Sequence, residues 1–258
     1  MARRPRLDMA GYHHIVNRGV ARSDVFKSTK DKEKFLQILC KACMIYDAVV
    51  HDYCLMDNHY HLLLETKKEN LSLLMRQVNS NYAIYFNKKE ERTGHLWQGR
   101  FRSWYVLNEE YLYTLFRYIE QNPVRAGIAD AVGIYPYSLA GTLKNRTEVI
   151  PCAHNSLLLR DFTAGDLTGF LEMPLSDEES EALERERRKK ITVENDIPVQ
   201  ERAKSLERHL AGIQTKAERN AAILQAFEDG YTQSAIAAHL DVTPSLVSQV
   251  IRNLIFNT

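Results

Sequence analysis

The fold of this chain is decided by the stretch Met56-Asp57-Asn58-His59-Tyr60-His61-Leu62-Leu63-Leu64-Glu65. Its start carries turn chemistry in Asp57-Asn58, and the apolar run at its end is typical of a buried strand. Side chains at positions i and i+2 of a strand leave from the same face, so His59 and His61 point one way and Tyr60 points the other. Two imidazoles on one face can hold a divalent metal through neutral ring nitrogens. Taken alone, however, such a pair is more often two unrelated histidines at the start of a strand.

The segments around this stretch predict an alternation of strands and helices. Apolar periodicity indicates strands over residues 12–17, 49–56, 59–66 and about 101–107, and helices over residues 29–46, 71–88 and 108–121. Ser28 or Thr29 caps the first helix and Asn108 caps the third. The order β-α-β-β-α, completed by the next strand, is that of a ferredoxin-like α+β layer. We therefore predict an antiparallel sheet with helices on one face, followed by a helical C-terminal region.

The third predicted helix stops at Asn122-Pro123, because proline disfavours helical conformation in the residue before it. Tyr118 and Asn122 lie four residues apart and therefore share a face of this helix. That polar and aromatic stripe could face the histidine pair, while the opposite side suits a core. Tyrosines on such stripes usually only pack, so the pattern alone does not identify a nucleophile. The stripe consists of Tyr111, Thr114, Tyr118 and Asn122, and the apolar side of Leu112, Leu115 and Ile119.

Several spaced motifs together resemble a known family. Besides the histidine stretch, they are Tyr12-His13-His14-Ile15-Val16-Asn17-Arg18-Gly19, His95-Leu96-Trp97-Gln98-Gly99-Arg100-Phe101, Phe116-Arg117-Tyr118-Ile119-Glu120-Gln121-Asn122-Pro123-Val124-Arg125-Ala126-Gly127 and Tyr135-Pro136-Tyr137-Ser138. In this order they resemble the single-tyrosine HUH transposases, and among these the REP-associated tyrosine transposases. The resemblance extends from about Tyr12 to about Leu143 and implies an HUH-endonuclease-like fold for that part of the chain.

The resemblance also implies a role for each residue of the site. Tyr118 matches the nucleophile of those enzymes, and Asn122 matches a third metal ligand beside His59 and His61. The implied cofactor is Mg²⁺ or Mn²⁺. The implied reaction is cleavage and strand transfer of single-stranded, hairpin-forming DNA through a 5′-phosphotyrosine, in transposition or repeat mobilisation. Tyr60 departs from the family, which usually has a smaller apolar residue there.

This chemistry is reasonable on physical grounds. A tyrosine hydroxyl has a pKa of about 10 and is a weak nucleophile at neutral pH. A divalent cation polarises the scissile phosphate and offsets the charge that develops in the transition state. Two imidazoles and one amide oxygen leave coordination positions open for phosphate oxygens and water. Rejoining to a different 3′-OH reverses the first step and needs no external energy source.

Basic and aromatic side chains elsewhere in the motifs are candidates for contact with DNA. A solvated basic surface explains most of the basic residues almost equally well. Trp97 and Tyr105 either stack on unpaired bases or pack within the protein. The basic arm over residues 1–11 either lies on phosphate or is a frayed terminus. The candidate DNA contacts are His14, Arg18, Lys88, Lys89, Arg92, Arg100 and Arg102.

Composition excludes other classes of protein. The 258 residues carry a net charge of +1, so any basic DNA-binding surface must be local. No apolar run approaches the roughly 20 residues that a membrane span needs, and no secretory signal is recognisable. Four cysteines in a chain of this length do not form a disulfide framework. Cys40 and Cys43 fit buried helix positions better than a zinc or redox site, and a reducing cytoplasm is the expected location.

We predict a catalytic domain over residues 1–145, a linker or helical region over 146–210 and a helix-turn-helix domain over 211–258. In the last, Gly230 closes one helix, Thr232 caps a short second helix, and Thr243 precedes a third. The segment from Lys216 onward has a net charge of −1, which is unfavourable for a DNA reader. DNA binding and a structural or protein-contact role therefore both stay open for this domain.

Two other functions are compatible with the sequence. A transposase relic could regulate transcription through its helix-turn-helix, although the intact His59, His61, Tyr118 and Asn122 argue against a silent nuclease. A metallophosphodiesterase that uses water would leave Tyr118 with a structural role. Trapping a covalent protein–DNA adduct separates the three possibilities. The sequence leaves open whether the protein is a monomer or a homodimer.

Overall fold

The computed structural model describes residues 8–107, 109–145, 147–188, 190–194, 197–201, 206–213, 215–228, 231 and 233–256. The described residues form two compact units, which divide after Ser180. The first unit therefore continues past the predicted boundary at residue 145, and the second begins within the predicted linker.

The first unit is built around a four-stranded antiparallel sheet. Its elements are β1 (Gly11–Arg18), α1 (Thr29–Tyr46), β2 (Ala48–Met56), β3 (His59–Thr66), α2 (Leu71–Lys89) and β4 (Arg102–Val106), with a 3₁₀ turn at Val20–Arg22. The strands lie in the order β2-β3-β1-β4, and every neighbouring pair is antiparallel. This topology confirms the ferredoxin-like α+β fold predicted from the sequence.

Helices α1 and α2 pack on one face of the sheet, as predicted. Tyr60 is fully buried on that face, with its ring 4.8 Å from the ring of Phe35 in α1. Its hydroxyl donates to Oδ1 of Asn79 in α2 at 2.9 Å. The sheet therefore accommodates the unusual Tyr60 as part of its core. Because side chains alternate along a strand, His59 and His61 lie on the opposite face.

A third helix, α3 (Glu109–Glu120), covers that opposite face. Its apolar side is buried, as predicted, and its residue Tyr118 lies beside His61. The helix ends at Glu120, and a one-turn helix, α4 (Asn122–Arg125), begins after Gln121 with Pro123 in its first turn. Proline is tolerated there because the first turn of a helix does not use that N–H group. The sheet is thus covered on both faces.

The first unit continues through short helices that the sequence pattern did not predict. They are α5 (Leu139–Lys144), a 3₁₀ turn at Pro151–Ala153, α6 (Leu157–Asp161) and α7 (Ala164–Glu172). Helix α8 (Asp177–Arg188) follows in the predicted linker or helical region and spans the division after Ser180. His51 of β2 anchors this part of the chain. Its carbonyl accepts a 2.6 Å hydrogen bond from Ser156, and its Nδ1 accepts one of 3.1 Å from the N–H of Leu157. These bonds explain why the unit does not end at residue 145.

Cys40 of α1 forms a disulfide with Cys152 in the 3₁₀ turn. Cys40 occupies a buried helix position, as predicted, but the sequence analysis did not predict its disulfide. The two cysteines are 112 positions apart, so their spacing in the sequence gave no sign of the bond. Cys43 is buried and free, as predicted, and burial raises the pKa of its thiol to about 12.

The second unit contains a hairpin and four helices in its described residues. They are β5 (Lys190–Glu194), β6 (Ile197–Glu201), α9 (Leu206–His209), α10 (Lys216–Glu228), α11 (Gln233–His239) and α12 (Pro244–Phe256). The hairpin was not predicted, whereas α10, α11 and α12 follow the predicted pattern. Ile223, Ile236 and Val247, one from each of these helices, are fully buried in a shared core. Thr243 caps α12 by accepting from the N–H of Leu246 at 3.3 Å.

Some sequence predictions lie outside the described residues. They concern residues 1–7 of the basic arm, the cap at Asn108, the helix end at Gly230 and the cap at Thr232. None of the helices among the described residues combines the length and the apolar character that a membrane span requires.

Candidate active site

His59 and His61 stand at the start of β3, directly after the two-residue turn Asp57-Asn58. Met56 pairs with His59 across this turn, which makes a tight hairpin of β2 and β3. The turn fixes the register, and the register places both imidazoles on the sheet face that α3 covers. The two rings lie 5.2 Å apart.

Each of these histidines uses the same ring atom, Nδ1, for a hydrogen bond. His59 Nδ1 lies 2.6 Å from Oδ1 of Asn58 in the turn. His61 Nδ1 lies 3.1 Å from Nε2 of His14, which comes from β1. Metal binding by either histidine would therefore use the other ring nitrogen, Nε2.

The environment of His59 keeps its imidazole neutral. Burial, and then the nearby positive charge of Arg18, lowers the pKa of His59 to about 4. The neutral ring carries the lone pair that a metal ligand needs. At neutral pH this histidine is thus in the form that binds a metal.

Tyr118 reaches the histidines from α3. Its half-buried ring stands edge-on to His61, with ring centroids 5.6 Å apart, and edge-on to His14 at 6.0 Å. The structure therefore brings the predicted nucleophile to the predicted pair of metal ligands.

A buried acidic pair joins α3 to the sheet. Asp52 of β2 and Glu120 of α3 are both buried and share a hydrogen bond. Burial raises the pKa of both carboxyls, and the charge of Glu120 raises that of Asp52 further. Glu120 also accepts from the N–H of Ala140 at 2.7 Å. The pair fixes the end of α3 that carries Tyr118.

Asn122 folds back onto the last turn of α3. Its Nδ2 donates to the carbonyl of Tyr118 at 2.6 Å and to that of Ile119 at 3.4 Å. Both bonds use the amide nitrogen, which leaves Oδ1 as the atom that could ligate a metal. Its role as the third ligand stays a prediction.

Arg125 is a site residue that the sequence analysis did not single out. Its exposed guanidinium lies over the ring of Tyr118, 5.5 Å from the centroid. It comes from α4, directly after the Asn122-Pro123 step. The available signal in the sequence was the position of Arg125, four residues after Gln121 in the same motif. One helical turn separates the two residues, so the side chain of Arg125 points back toward α3.

His14 does not have the predicted role in DNA contact. Its side chain is fully buried. Its ring stacks on that of His61 and lies 5.4 Å from that of Trp104. A side chain with no exposed surface cannot reach DNA, so this assignment was wrong. Strand alternation places His14 on the sheet face that carries His59 and His61, which we call the site face. It does not show that α3 covers His14.

The other candidate DNA contacts fall into separate groups. Arg18 and Arg102 are exposed on the site face, since Arg18 pairs with His59 and Arg102 with Val16 across the sheet. Lys88 and Lys89 end α2 on the other face, and Lys89 is bound to Asp31 at 2.8 Å.

Arg92 and Arg100 lie in the loop between α2 and β4. Arg92 donates to the carbonyl of His95 at 3.2 Å. Arg100 and Trp97 line a cavity of about 420 Å³ beside α2. Trp97 packs rather than projecting outward, because its Nε1 donates to the carbonyl of Asn79 at 3.0 Å. These residues thus stand apart from the histidine site.

The site fits a divalent metal in the chemistry of its donors. His59 and His61 offer Nε2 on one face, and Asn122 offers an amide oxygen. Imidazole nitrogen with amide oxygen is a borderline donor set that is consistent with Mn²⁺. Within the described part of the chain, no group of three or more His, Cys, Asp and Glu side chains could hold a metal.

Comparison with known families supports this picture. Residues 9–122 match the family model of the IS200-like transposases. The match covers the sheet, the histidine pair, Tyr118 and Asn122. It confirms, for this part of the chain, the resemblance to single-tyrosine transposases that the motifs indicate. No curated protein matches the chain significantly.

Two solved structures are similar to the chain. One is a REP-associated tyrosine transposase bound to a REP hairpin, with 20% identity, a TM-score of 0.47, and coverage of 64% of this chain and 96% of that chain. The other is the tRNA(His) guanylyltransferase of Saccharomyces cerevisiae, with 12% identity, a TM-score of 0.35, and coverage of 75% and 89%.

Proposed function

We propose that this protein is a metal-dependent transposase-type enzyme that cleaves single-stranded DNA and transfers the strand through Tyr118. The observation that carries the proposal is the position of the Tyr118 ring, 5.6 Å from that of His61, on the face that also holds His59. A tyrosine that only packed would not need the imidazoles of His61 and His14 beside it. The IS200-like family match over the same residues supports the proposal.

The proposed reaction is a reversible exchange at phosphorus. The hydroxyl oxygen of Tyr118 attacks a backbone phosphate and loses its proton. The bond from phosphorus to the 3′ oxygen breaks, and that oxygen takes up a proton to leave a free 3′-OH. The products are a 5′-phosphotyrosine on the protein and a 3′ end. A different 3′-OH then attacks the phosphotyrosine, which restores Tyr118 and joins the strands.

Three side chains would hold the cofactor, Mg²⁺ or Mn²⁺: His59, His61 and Asn122. A cation held there would polarise the scissile phosphate and offset the charge that develops on it. We expect Arg18 and Arg125 to bind phosphate near the nucleophile, since Arg18 pairs with His59 across the sheet and Arg125 lies over Tyr118. Arginine suits this role because its planar guanidinium donates to two phosphate oxygens at once.

Hairpin-forming repeat DNA is the proposed substrate. The motifs most resemble those of REP-associated tyrosine transposases, whose substrates form hairpins. A hairpin presents its unpaired flank next to a duplex stem, so a cleavage site can be fixed by shape. Arg102, exposed on the edge strand of the site face, is placed to contact such a stem.

For the second unit we propose duplex DNA binding by a helix-turn-helix. Helices α11 and α12 are joined by a short turn in which Asp241 has a positive φ of 53°, and both pack on α10. The exposed Ser245 and Gln249 of α12 could donate to or accept from base edges. We expect Gln249→Ala to weaken binding to duplex DNA and to leave cleavage of a short hairpin unchanged. Unchanged duplex binding would favour a protein-contact role.

Adduct formation tests the main proposal. The protein is incubated with labelled single-stranded hairpins and Mn²⁺ and analysed on a denaturing gel. Wild type should form a covalent adduct, and Tyr118→Phe should form none while it still binds DNA. The lost hydroxyl should cost no more than about 0.5–1.5 kcal/mol of stability.

Tyr113→Phe is the matched control, because Tyr113 lies on the same helix but donates to Asp161 at 2.9 Å, away from the histidines. It should form the adduct normally, as should the Phe variants of Tyr82, Tyr85 and Tyr111. An adduct on Tyr118→Phe would show that the nucleophile is misassigned. Cleavage by wild type without any adduct would favour a phosphodiesterase that uses water.

A further inference from the structure

The two proposed metal ligands share a feature that does not follow from their spacing. Each has a hydrogen-bonding partner at Nδ1: Asn58 for His59 at 2.6 Å, and His14 for His61 at 3.1 Å. The partners come from different parts of the sheet, one from the turn before β3 and the other from β1. The same ring atom is thus engaged in the same way on both histidines.

The bond to Asn58 fixes the tautomer of His59. The amide nitrogen of Asn58 donates to the carbonyl of Arg22 at 3.3 Å, so the amide oxygen is the end that faces the imidazole. An amide oxygen only accepts hydrogen bonds. His59 must therefore carry its proton on Nδ1, and its lone pair is on Nε2.

His14 is built into the site rather than exposed beside it. It is fully buried and its ring is nearly parallel to that of His61, with an interplanar angle of 16°. Its Nε2 can accept the Nδ1 proton of His61 if His14 carries its own proton on Nδ1. His61 would then also present its lone pair at Nε2.

We propose that Asn58 and His14 are positioning residues, which hold His59 and His61 in the tautomer and orientation that bind the divalent cation. This inference rests on the proposed metal site. Hydrogen bonds to the far nitrogen of a ligating histidine fix the ring and raise its basicity, and their loss typically weakens metal affinity 10–100-fold. Asn58 thus has a chemical role in addition to its place in a turn.

The same turn supplies a matched control. Asp57 precedes Asn58, but its carboxylate is bound to Lys32 at 2.7 Å and does not contact either histidine. Asp57→Ala therefore disturbs the turn without removing an acceptor from the site. Asn58→Asp keeps an acceptor at the same position, while Asn58→Ala removes it.

The first measurement is the affinity for Mn²⁺ in the absence of DNA, from titrations that follow the electron paramagnetic resonance signal of free Mn²⁺. We expect Asn58→Ala to bind about 10–100-fold more weakly than wild type. Asn58→Asp should bind at least as tightly as wild type, and Asp57→Ala should bind equally well. Equal affinity of Asn58→Ala and wild type would overturn the proposal.

The second measurement reads the tautomers directly and needs no metal. Long-range ¹H–¹⁵N correlation spectra at neutral pH distinguish a protonated Nδ1 from a protonated Nε2. In wild type, His59 and His61 should both carry the proton on Nδ1. Asn58→Ala should give a mixture for His59 alone. A wild-type His59 protonated on Nε2 would overturn the proposal, even if a variant failed to fold.

His14 is tested with His14→Gln, whose amide oxygen can accept from His61, against His14→Leu, which cannot. His14→Gln should retain more Mn²⁺ affinity than His14→Leu. Equal losses of Mn²⁺ affinity in the two variants would show that His14 is not a positioning residue. These results are separable from the proposed DNA chemistry. A protein with the expected tautomers and Mn²⁺ binding that forms no DNA adduct would contradict the proposed function and support the positioning roles.

Discussion

The two faces of the central sheet come from alternate residues of the same strands, yet they differ in kind. One face carries Tyr60 and Leu62, fully buried against α1 and α2. The other carries His59, His61 and the acidic Asp52, under α3. Packing governs the first face, and placed hydrogen bonds govern the second. A stable scaffold and a reactive site can thus share one strand, because successive side chains point to opposite faces of the sheet.

The largest expected effect is on the site face. His59→Ala removes a proposed metal ligand from a partly exposed position, so stability should change little. Mn²⁺-dependent adduct formation should fall by more than about 100-fold. The loss of a hydrogen bond to a metal ligand already weakens a metal site by up to about 100-fold, and the loss of the ligand itself should cost more. The measurement is the rate of adduct formation at saturating Mn²⁺. Unchanged cleavage would end the metal assignment.

On the face that packs against α1 and α2, which we call the packing face, a substitution should affect stability rather than activity. Leu62→Ala, three positions along the same strand, should lower the free energy of unfolding by about 2–5 kcal/mol, through lost burial and a cavity. Adduct formation per folded molecule should stay close to that of wild type. Urea denaturation measures the free energy of unfolding, and the same gel assay measures adduct formation. A variant that stays stable but loses activity would show that the two faces are not independent.

A histidine on the packing face should make stability depend on pH. Burial lowers the pKa of His13 to about 4, below the value of about 6.5 expected in the unfolded chain. As pH falls from 6.5 to 4, the unfolded chain takes up the proton first, so stability is lost. The loss from His13 should reach about 3 kcal/mol at pH 4. His13→Gln should show a correspondingly shallower fall in urea unfolding between pH 7 and 4; parallel curves would contradict the assignment.

The smallest expected effect concerns the hydroxyl of Tyr60. Tyr60→Phe removes the hydrogen bond to Asn79 and keeps the ring against Phe35. We expect a loss of about 0.5–1.5 kcal/mol and no change in adduct formation. Thermal unfolding measures the first, and the gel assay the second. A large loss of activity would mean that the packing face also sets the geometry of the site.

Much of this architecture was predictable from local pattern. The bounds of β3 agree with the prediction, and those of α1 and α2 lie within a residue of it, because long apolar periods and caps mark such elements. The short helices between residues 139 and 172 were not predictable, since pieces this short contain no sustained period. The burial of His14 was not predicted, because strand alternation shows which face of the sheet a side chain is on but not whether a helix packs over that face.

The sequence alone specifies the ferredoxin-like order of elements, the shared face of His59 and His61, and the helical turn that separates Tyr118 from Asn122. All of these follow from periods within one strand or one helix. Tertiary packing brings His14 to His61, Asp52 to Glu120 and Cys40 to Cys152. Each of those pairs joins residues far apart in the chain. Their meeting depends on how the elements pack, and a local pattern in the sequence does not contain that information.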